Sequence, residues 1–555
     1  MKHRSAISLS MALLLALIFA FNFQAQSKPA AKPVPMSSPS DDVQAQLSRL
    51  SLETKDSPQS DVGNPDKQNA VLVASSRAPA QGSVPRGPES PQVNPLPPER
   101  ALAMKITTSF TLAAVGDILL RHSVAQLANS NFQNLIAHLR SADLAFGNME
   151  TTIVDYSNMT RQGMLSGMPK SCVPDLRAMG IRIMNCANNH SMEGGVAGLF
   201  ETNAMLDEGG IVHAGTGRNL QEARMPGFLD TAKGTVGVVG VFSIAPDSSP
   251  SPSSTSAATY QVGDQAGVPG VNGLHVTQYN VVTADQMEEL RKIRDSLYAR
   301  REEVLYPVPP LPANEPKDRL QLFGQWYKTG PKPGELSWSM DQGDLNEILR
   351  SIKNGKEYAD FMIVTIHCHE NSHAIQKYTF DSDVPDFLVE FAHKAIDNGA
   401  DVFIGHGVHT LRGVEIYKGK PIFYGVASFM NQPPDSLLPQ SPGGSLTHAE
   451  ASNLPTDAPG HEGGRLQEAD NREALLATSR YEGGKLVEVK LYPADTGRDG
   501  SRPLSLQGIP MTPSPEVAQH ILEKVQKVSA RFGTKIVIEG NVGVIRIAGD
   551  SNDSH

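Results

Sequence analysis

Five short polar clusters punctuate the sequence, each directly after an apolar run. They are Gly116-Asp117, Gly147-Asn148-Met149-Glu150, Ala187-Asn188-Asn189-His190, His367-Cys368-His369-Glu370 and Gly405-His406-Gly407-Val408-His409. Taken singly, each is ordinary loop text. An Asp after a strand is commonly a turn or a helix cap, and His-x-His is commonly two exposed imidazoles. Taken together they offer carboxylate oxygen, amide oxygen and neutral imidazole nitrogen, the donor set that divalent metals take. A carboxylate shared between two ions about 3.5–4 Å apart would support activation of water and clamping of a phosphoryl group. A histidine beside such ions is suited to protonate a leaving oxygen. The competing reading is a polar rim with a purely structural role.

Chemistry of this kind needs elements that bring the five clusters to one place. From Ile106 onward, apolar strands alternate with amphipathic helices, the pattern of α/β units. Strands are expected at Phe110 to Val115, Ala142 to Phe146, Ile181 to Cys186, Thr235 to Phe242, Phe361 to Ile366 and Asp401 to Ile404. Helices are expected at Leu127 to Leu139, Asp175 to Met179, Ala197 to Asp207, Asp344 to Lys353 and Pro385 to Asn398, the last ended by Gly399. Ligands of open α/β sheets bind beyond the carboxyl ends of the strands, where the five clusters stand.

The rest of the 555 residues sets limits on function. A net charge of −10, from 49 Lys and Arg against 59 Asp and Glu, argues against a nucleic-acid partner, which needs a basic surface. Lys2 and Arg4 precede an apolar run from Ile7 to Phe23, which reads as an export signal or N-terminal anchor over residues 1–25. Residues 26–104 are rich in Pro, Ser and Gln and nearly free of aromatics, so they read as a disordered spacer. The three cysteines, Cys172, Cys186 and Cys368, make no disulfide framework. Two Pro/Ser-rich insertions, Ala245 to Ala258 and Pro434 to Gly464, read as loops. Thr283-Ala284-Asp285-Gln286 reads as a capping box opening a helix with Met287, Leu290, Ile293, Leu297 and Val304 on one face. Its Arg291, Lys292 and Arg294 form either a solvated face or a basic wall for an anionic substrate. Residues 493–555 hold a helix from Pro515, capped by Ser514, and a terminal hairpin.

The segments VGDILL, ADLAFGNMETTI, NCANNHSMEGG, GVPGVNGLHV, VTIHCHE and GADVFIGHGVHTLRGVEIYKGKPIFYGVASF resemble, in order and spacing, CapA-type capsule (poly-γ-glutamate) biosynthesis proteins. That family is similar to calcineurin-like metallophosphoesterases. The resemblance implies a four-layer α/β sandwich over residues 105–492, two mixed β-sheets flanked by helices, with residues 493–555 as a small helix-hairpin appendage. It implies two divalent metal ions, with Mn, Fe and Zn all suitable. Asp117 and His409 would bind the first, Glu150 would bridge, and Asn189, His367 and His406 would bind the second. His190 would be the general acid, and Asn148 would orient Glu150 or a bridging water. The implied partners are an anionic polymer such as poly-γ-glutamate or a phosphate-bearing substrate, and a membrane synthase or export complex. The implied place is the cell envelope, and the activity such a site would support is metal-dependent hydrolysis. Three departures stand out: Leu119 occupies the histidine position of the phosphoesterase Asp-x-His, Cys368 and His369 replace the Trp and Gly usual after the fourth-motif histidine, and Gly425-Val426-Ala427-Ser428-Phe429 replaces Ser-Leu-Gly-Asn-Phe.

Overall fold

The structure is a computed structural model and describes residues 101–155, 167–245, 257–301, 311, 314–373, 381–433 and 472–547. The expected signal, most of the spacer and the greater part of both Pro/Ser-rich loops lie outside the described residues.

The chain begins with four parallel strands: β1 (Phe110–Leu119), β2 (Leu144–Met149), β3 (Ile181–Asn185) and β4 (Val212–Ala214). Their crossovers contain α1 (Ser130–Ser141), α2 (Val173–Ala178) and α3 (Gly195–Glu208). Asn129 caps α1 by accepting from the amides of Asn131 and Phe132, which is why that helix starts where it does.

The chain then builds a second sheet from β5 (Gly234–Ile244) and β6 (Gly273–Val282). After α4 (Ala284–Tyr298) and α5 (Gln342–Tyr358) come β7 (Phe361–His367), α6 (Asp386–Asp397), β8 (Val402–His406) and β9 (Lys420–Phe423). The pairs β5–β7, β7–β8 and β8–β9 are parallel. The chain returns to the first sheet with β10 (Ser428–Asn431), β11 (Glu473–Glu482) and β12 (Lys485–Asp495). It finishes with α7 (Pro515–Ser529), β13 (Val537–Glu539) and β14 (Val542–Arg546). The first sheet runs β13-β14-β12-β11-β1-β2-β3-β4, with β10 also on β1. The second has ten strands, with β6-β5-β7-β8-β9 at its centre. Both sheets are mixed.

Strand periodicity explains the layering, because successive side chains point to opposite faces. In β7, Phe361 and Ile363 face one way and Met362, Val364 and Ile366 the other. The first face meets Leu112, Phe146 and Ile183 of the opposite sheet, together with Val238 and Ile404, in a core between the sheets. On the outer side of the first sheet, Phe132, Leu135 and Leu139 of α1 and Leu176 of α2 cover Val115 and Ala145. On the outer side of the second, Ile348 and Ile352 of α5 and Phe387 and Phe391 of α6 cover Val239, Val364 and Phe403. Helices, sheet, sheet and helices make the expected four layers.

Two elements differ in detail from expectation. The C-terminal hairpin is continuous with the first sheet, since β14 pairs antiparallel with β12, and Ile521, Leu522 and Val525 of α7 enter the core between the sheets. In α4, Met287 is buried, but Ile293 and Leu297 are exposed at 46% and 47%, so the apolar stripe does not run the length of the helix. Arg291 and Arg294 both pair with Glu315, and Lys292 pairs with Glu289, so the basic face is compensated within its own insertion.

Phe361 sits at the centre of the inner core, its ring centroid 5.0 Å from that of Phe110 and 5.1 Å from that of Tyr481. Phe361→Ala is expected to cost about 3–5 kcal/mol, the range for truncating a buried aromatic. Urea unfolding checks this as a lower midpoint at unchanged slope.

Candidate metal-type site at the strand ends

Register alone lines up the first residues of the site. Across the first sheet Asp117 pairs with Asn148, and Asn148 with Asn185. Across the second sheet His367 pairs with His406. In β7 and β8 strict alternation carries the inner face from Phe361 and Ile363 to His367, and from Val402 and Ile404 to His406. β1 needs a correction to its alternation. Val115 and Ile118 both lie in the outer core, although they are an odd number of residues apart. A register shift around Asp117 absorbs the difference and turns its carboxylate toward the opposite sheet. Gly116 permits the close approach this requires, because a Cβ there would stand 1.8 Å from the Ala427 carbonyl oxygen.

Seven of the eight residues singled out in the sequence have contacts that tie them to one cluster. Asp117, Asn148, Glu150, His367 and His406 are essentially fully buried. Asp117 Oδ1 lies 3.3 Å from His406 Nδ1 and 3.6 Å from His367 Nδ1, and its Oδ2 lies 3.4 Å from His409 Nδ1. Glu150 Oε1 lies 3.5 Å from His367 Nε2, 3.7 Å from His409 Nε2 and 4.0 Å from His190 Nε2. Asn189 is buried in the turn between Asn188 and His190. The carboxylate oxygens and imidazole nitrogens form three overlapping groups, each with its ligand atoms within 4.8 Å of one another: Asp117, His367 and His406; Glu150, His367 and His369; Asp117, Glu150 and His409.

Supporting residues hold these groups in place. Asn148 Nδ2 donates to Asp117 Oδ1 at 2.9 Å and approaches His367 Nδ1 at 3.2 Å, while its Oδ1 accepts from Asn185 Nδ2 at 2.8 Å. Asn148 therefore orients Asp117 and the His367 ring, whereas the sequence reading aimed it at Glu150 or a bridging water. The Thr365 hydroxyl lies 2.8 Å from His406 Nε2, leaving Nδ1 toward the cluster. The Ser428 hydroxyl lies 2.7 Å from His409 Nδ1. His409 adopts φ 56°, a left-handed backbone conformation uncommon outside Gly, Asn, Asp and His, and such conformations cluster at functional sites. Gly407, at φ 97°, makes room for His367, since a Cβ there would stand 2.8 Å from His367 Nε2. His190 lies at the rim with Nδ1 2.6 Å from Glu193 Oε1.

Sequence reading assigned no site role to His369, Asn185, Glu193, Thr365 and Ser428. His369 carried a visible signal, its placement two residues after His367, but its burial was not legible. The others needed the register and the turn geometry.

Electrostatics follow from burial. Burial raises the Asp117 pKa, but hydrogen bonds from His367, His406 and His409 outweigh it and hold the carboxyl well below its ordinary range. Burial, then the charges of Asp117 and Glu193, push Glu150 well above its ordinary range. Burial lowers His367 to about 3, against the opposing pull of Asp117, so its ring is neutral near pH 7. Both Glu150 oxygens are buried without a hydrogen-bond partner among the described residues. A buried carboxylate without a donor is costly, and a cation is the partner its surroundings fit.

The raised Glu150 pKa gives a pH prediction. Just above the ordinary carboxylate range Glu150 holds a proton in the metal-free protein, and an arriving cation must displace it. Metal affinity is expected to fall as pH drops through this range, with proton release on binding. Calorimetry in buffers of different ionisation enthalpy checks it: Glu150→Gln should release fewer protons than the native protein.

Comparison with known proteins identifies the family. Residues 111–433 match the family model described as bacterial capsule synthesis protein PGA_cap. The uncharacterized protein y4sH of Sinorhizobium fredii (strain NBRC 101917 / NGR234) is 37% identical over 465 residues, covering 80% of this chain and 95% of that protein. The capsule biosynthesis protein CapA of Bacillus anthracis is 20% identical, covering 58% of this chain and 59% of that protein. Among solved structures, a phosphatase from Mycoplasma pneumoniae aligns over 70% of this chain and 94% of its own, at 12% identity and a TM-score of 0.31, too distant to carry an argument. With the family model spanning more than half its length, this chain belongs to the bacterial capsule synthesis protein family.

Proposed function

We propose that this protein is a cell-envelope component of anionic capsule synthesis whose strand-end cluster binds divalent metal and acts on a γ-linked glutamate polymer or its phosphate-bearing precursor. Family membership and the relative named capsule biosynthesis protein CapA support the capsule role, and the Bacillus subtilis (strain 168) relative named PGA biosynthesis protein CapA supports the polymer class. One observation carries the metal reading: both Glu150 carboxylate oxygens are buried without hydrogen-bond donors among the described residues, and Oε1 lies within 4.0 Å of three imidazoles. Asp117, Glu150, His367, His406 and His409 would hold the metal, with Asn189 beside them. Bound there, divalent ions would supply positive charge to a phosphoryl or carbonyl oxygen and acidify water. Asn148 fixes Asp117 and His367, Thr365 and Ser428 fix His406 and His409, and all of this is set before substrate arrives. An N-terminal export signal or anchor would place the domain outside the cytoplasm; among the described residues no helix is long and apolar enough to cross a membrane.

A second reading, a phosphoesterase, is favoured by His190. Glu193 accepts from Nδ1, which turns Nε2 toward the cluster, and with both ring nitrogens protonated the Nε2 proton could pass to a leaving oxygen. Full-length protein loaded with Mn(II) discriminates the two. Turnover of an aryl phosphate that is lost in His190→Ala supports the phosphoesterase. Saturable binding of poly-γ-glutamate without phosphate release supports a polymer-handling role. Neither turnover nor binding would overturn both readings.

A further inference from the structure

We propose that His369 is a metal ligand, completing a coordination place with Glu150 and His367. This rests on the metal reading above and goes beyond it, because His369 stands where the capsule-protein pattern has glycine.

The geometry is that of shared ligation. His369 Nε2 lies 3.1 Å from His367 Nε2, and Glu150 Oε1 lies 3.5 Å from the same nitrogen. Ligands about 2.0–2.1 Å from a tetrahedral ion stand about 3.3 Å from one another, so both separations suit one ion between them. The His367 ring is turned the right way: Nε2 faces Glu150 and His369, and Nδ1 faces the Asp117 carboxylate, the common arrangement of an imidazole ligand. Glu150 also belongs to the group with Asp117 and His409, so it joins the two places as a bridging carboxylate does.

The turn that carries His369 is anchored on both sides. The Cys368 amide donates to the His406 carbonyl at 2.8 Å. The Arg412 guanidinium, itself fully buried, donates from Nη2 to the Glu370 carbonyl at 2.6 Å, and the Ser243 hydroxyl donates to the Glu370 carboxylate. Cys368 lies in the outer core of the second sheet with Phe387 and Tyr424. Of the two residues that depart from the family pattern, the imidazole meets the cluster and the thiol packs away from it.

The test uses full-length protein stripped of metal and titrated with Co(II), read by visible absorption and by bound equivalents. Two variants are compared: His369→Ala removes the ring, and His369→Phe keeps ring volume without a nitrogen. Both are expected to lose one class of Co(II) site or bind it at least about 10-fold more weakly, with metal-free melting of His369→Phe near that of the native protein. If native protein binds Co(II) and both variants match it in equivalents, affinity and spectrum, the inference is overturned while the metal reading stands. If native protein binds no Co(II), the metal reading itself fails and takes the inference with it.

Discussion

Replacing His367 by alanine is expected to strip divalent metal from the full-length protein and to lower any metal-dependent rate by more than about 100-fold, since even residues behind a ligand are worth 10–100-fold. His367 belongs to two of the three overlapping ligand groups, more than His406, His369 or His409. Its two ring nitrogens serve different neighbours, with Nδ1 toward Asp117 and His406 and Nε2 toward Glu150 and His369. No smaller side chain reproduces both. Because burial lowers this ring to about 3, it is neutral from pH 5 to 8 and presents a lone pair without first losing a proton. Loss of metal should therefore be complete across that range instead of being recovered at high pH. Elemental analysis beside circular dichroism separates metal loss from unfolding. A folded His367→Ala protein that keeps its full metal content would contradict the assignment.

His190→Ala should act on a different quantity. His190 stands at the rim, and Nδ1 is held by Glu193 while Nε2 points toward Glu150. Its removal is expected to lower kcat by about 10²–10⁴-fold, the usual worth of a general acid, with metal content unchanged. The loss should be larger for an alkyl phosphate than for an aryl phosphate, because a poor leaving oxygen depends more on the proton it receives. Glu193→Gln should reproduce a weaker form of the same defect, acting through the His190 ring. Equal losses for both leaving groups would assign His190 to binding instead of proton transfer.

How much of this was legible in the sequence differs from residue to residue. The strands ending at His367 and His406 alternate strictly, so an inner-facing Phe361 or Val402 already implies an inner-facing histidine at the strand end. The carboxylate of Asp117 was legible as a strand-tip residue but not as an inward one. Its direction depends on a register shift that periodicity cannot show, and on a glycine whose Cβ would meet the Ala427 carbonyl. His369 was visible as a strand-tip imidazole two residues after His367, but its burial was not, because burial of a loop imidazole is decided by Arg412 and Ser243, far away in the chain. The stripe of α4 misled for a related reason. Helical spacing says which residues share a face, but here Glu315 draws Arg294 inward while Ile293 and Leu297 stay exposed. Likewise the terminal hairpin reads locally as a small appendage docked on the main domain, and only the antiparallel pairing of β14 with β12 makes it an extension of the main sheet.

The cluster around Asp117, Glu150 and His367 is proposed to hold divalent metal. The most direct measurement is the divalent-metal content of the full-length protein, purified without chelator and compared with Asp117→Ala and Glu150→Gln. The account predicts at least about one equivalent per chain, falling toward zero in both variants while they remain folded. Substantially less metal in the native protein after incubation with Mn(II), Fe(II) or Zn(II), or metal retained equally by both variants, would contradict it.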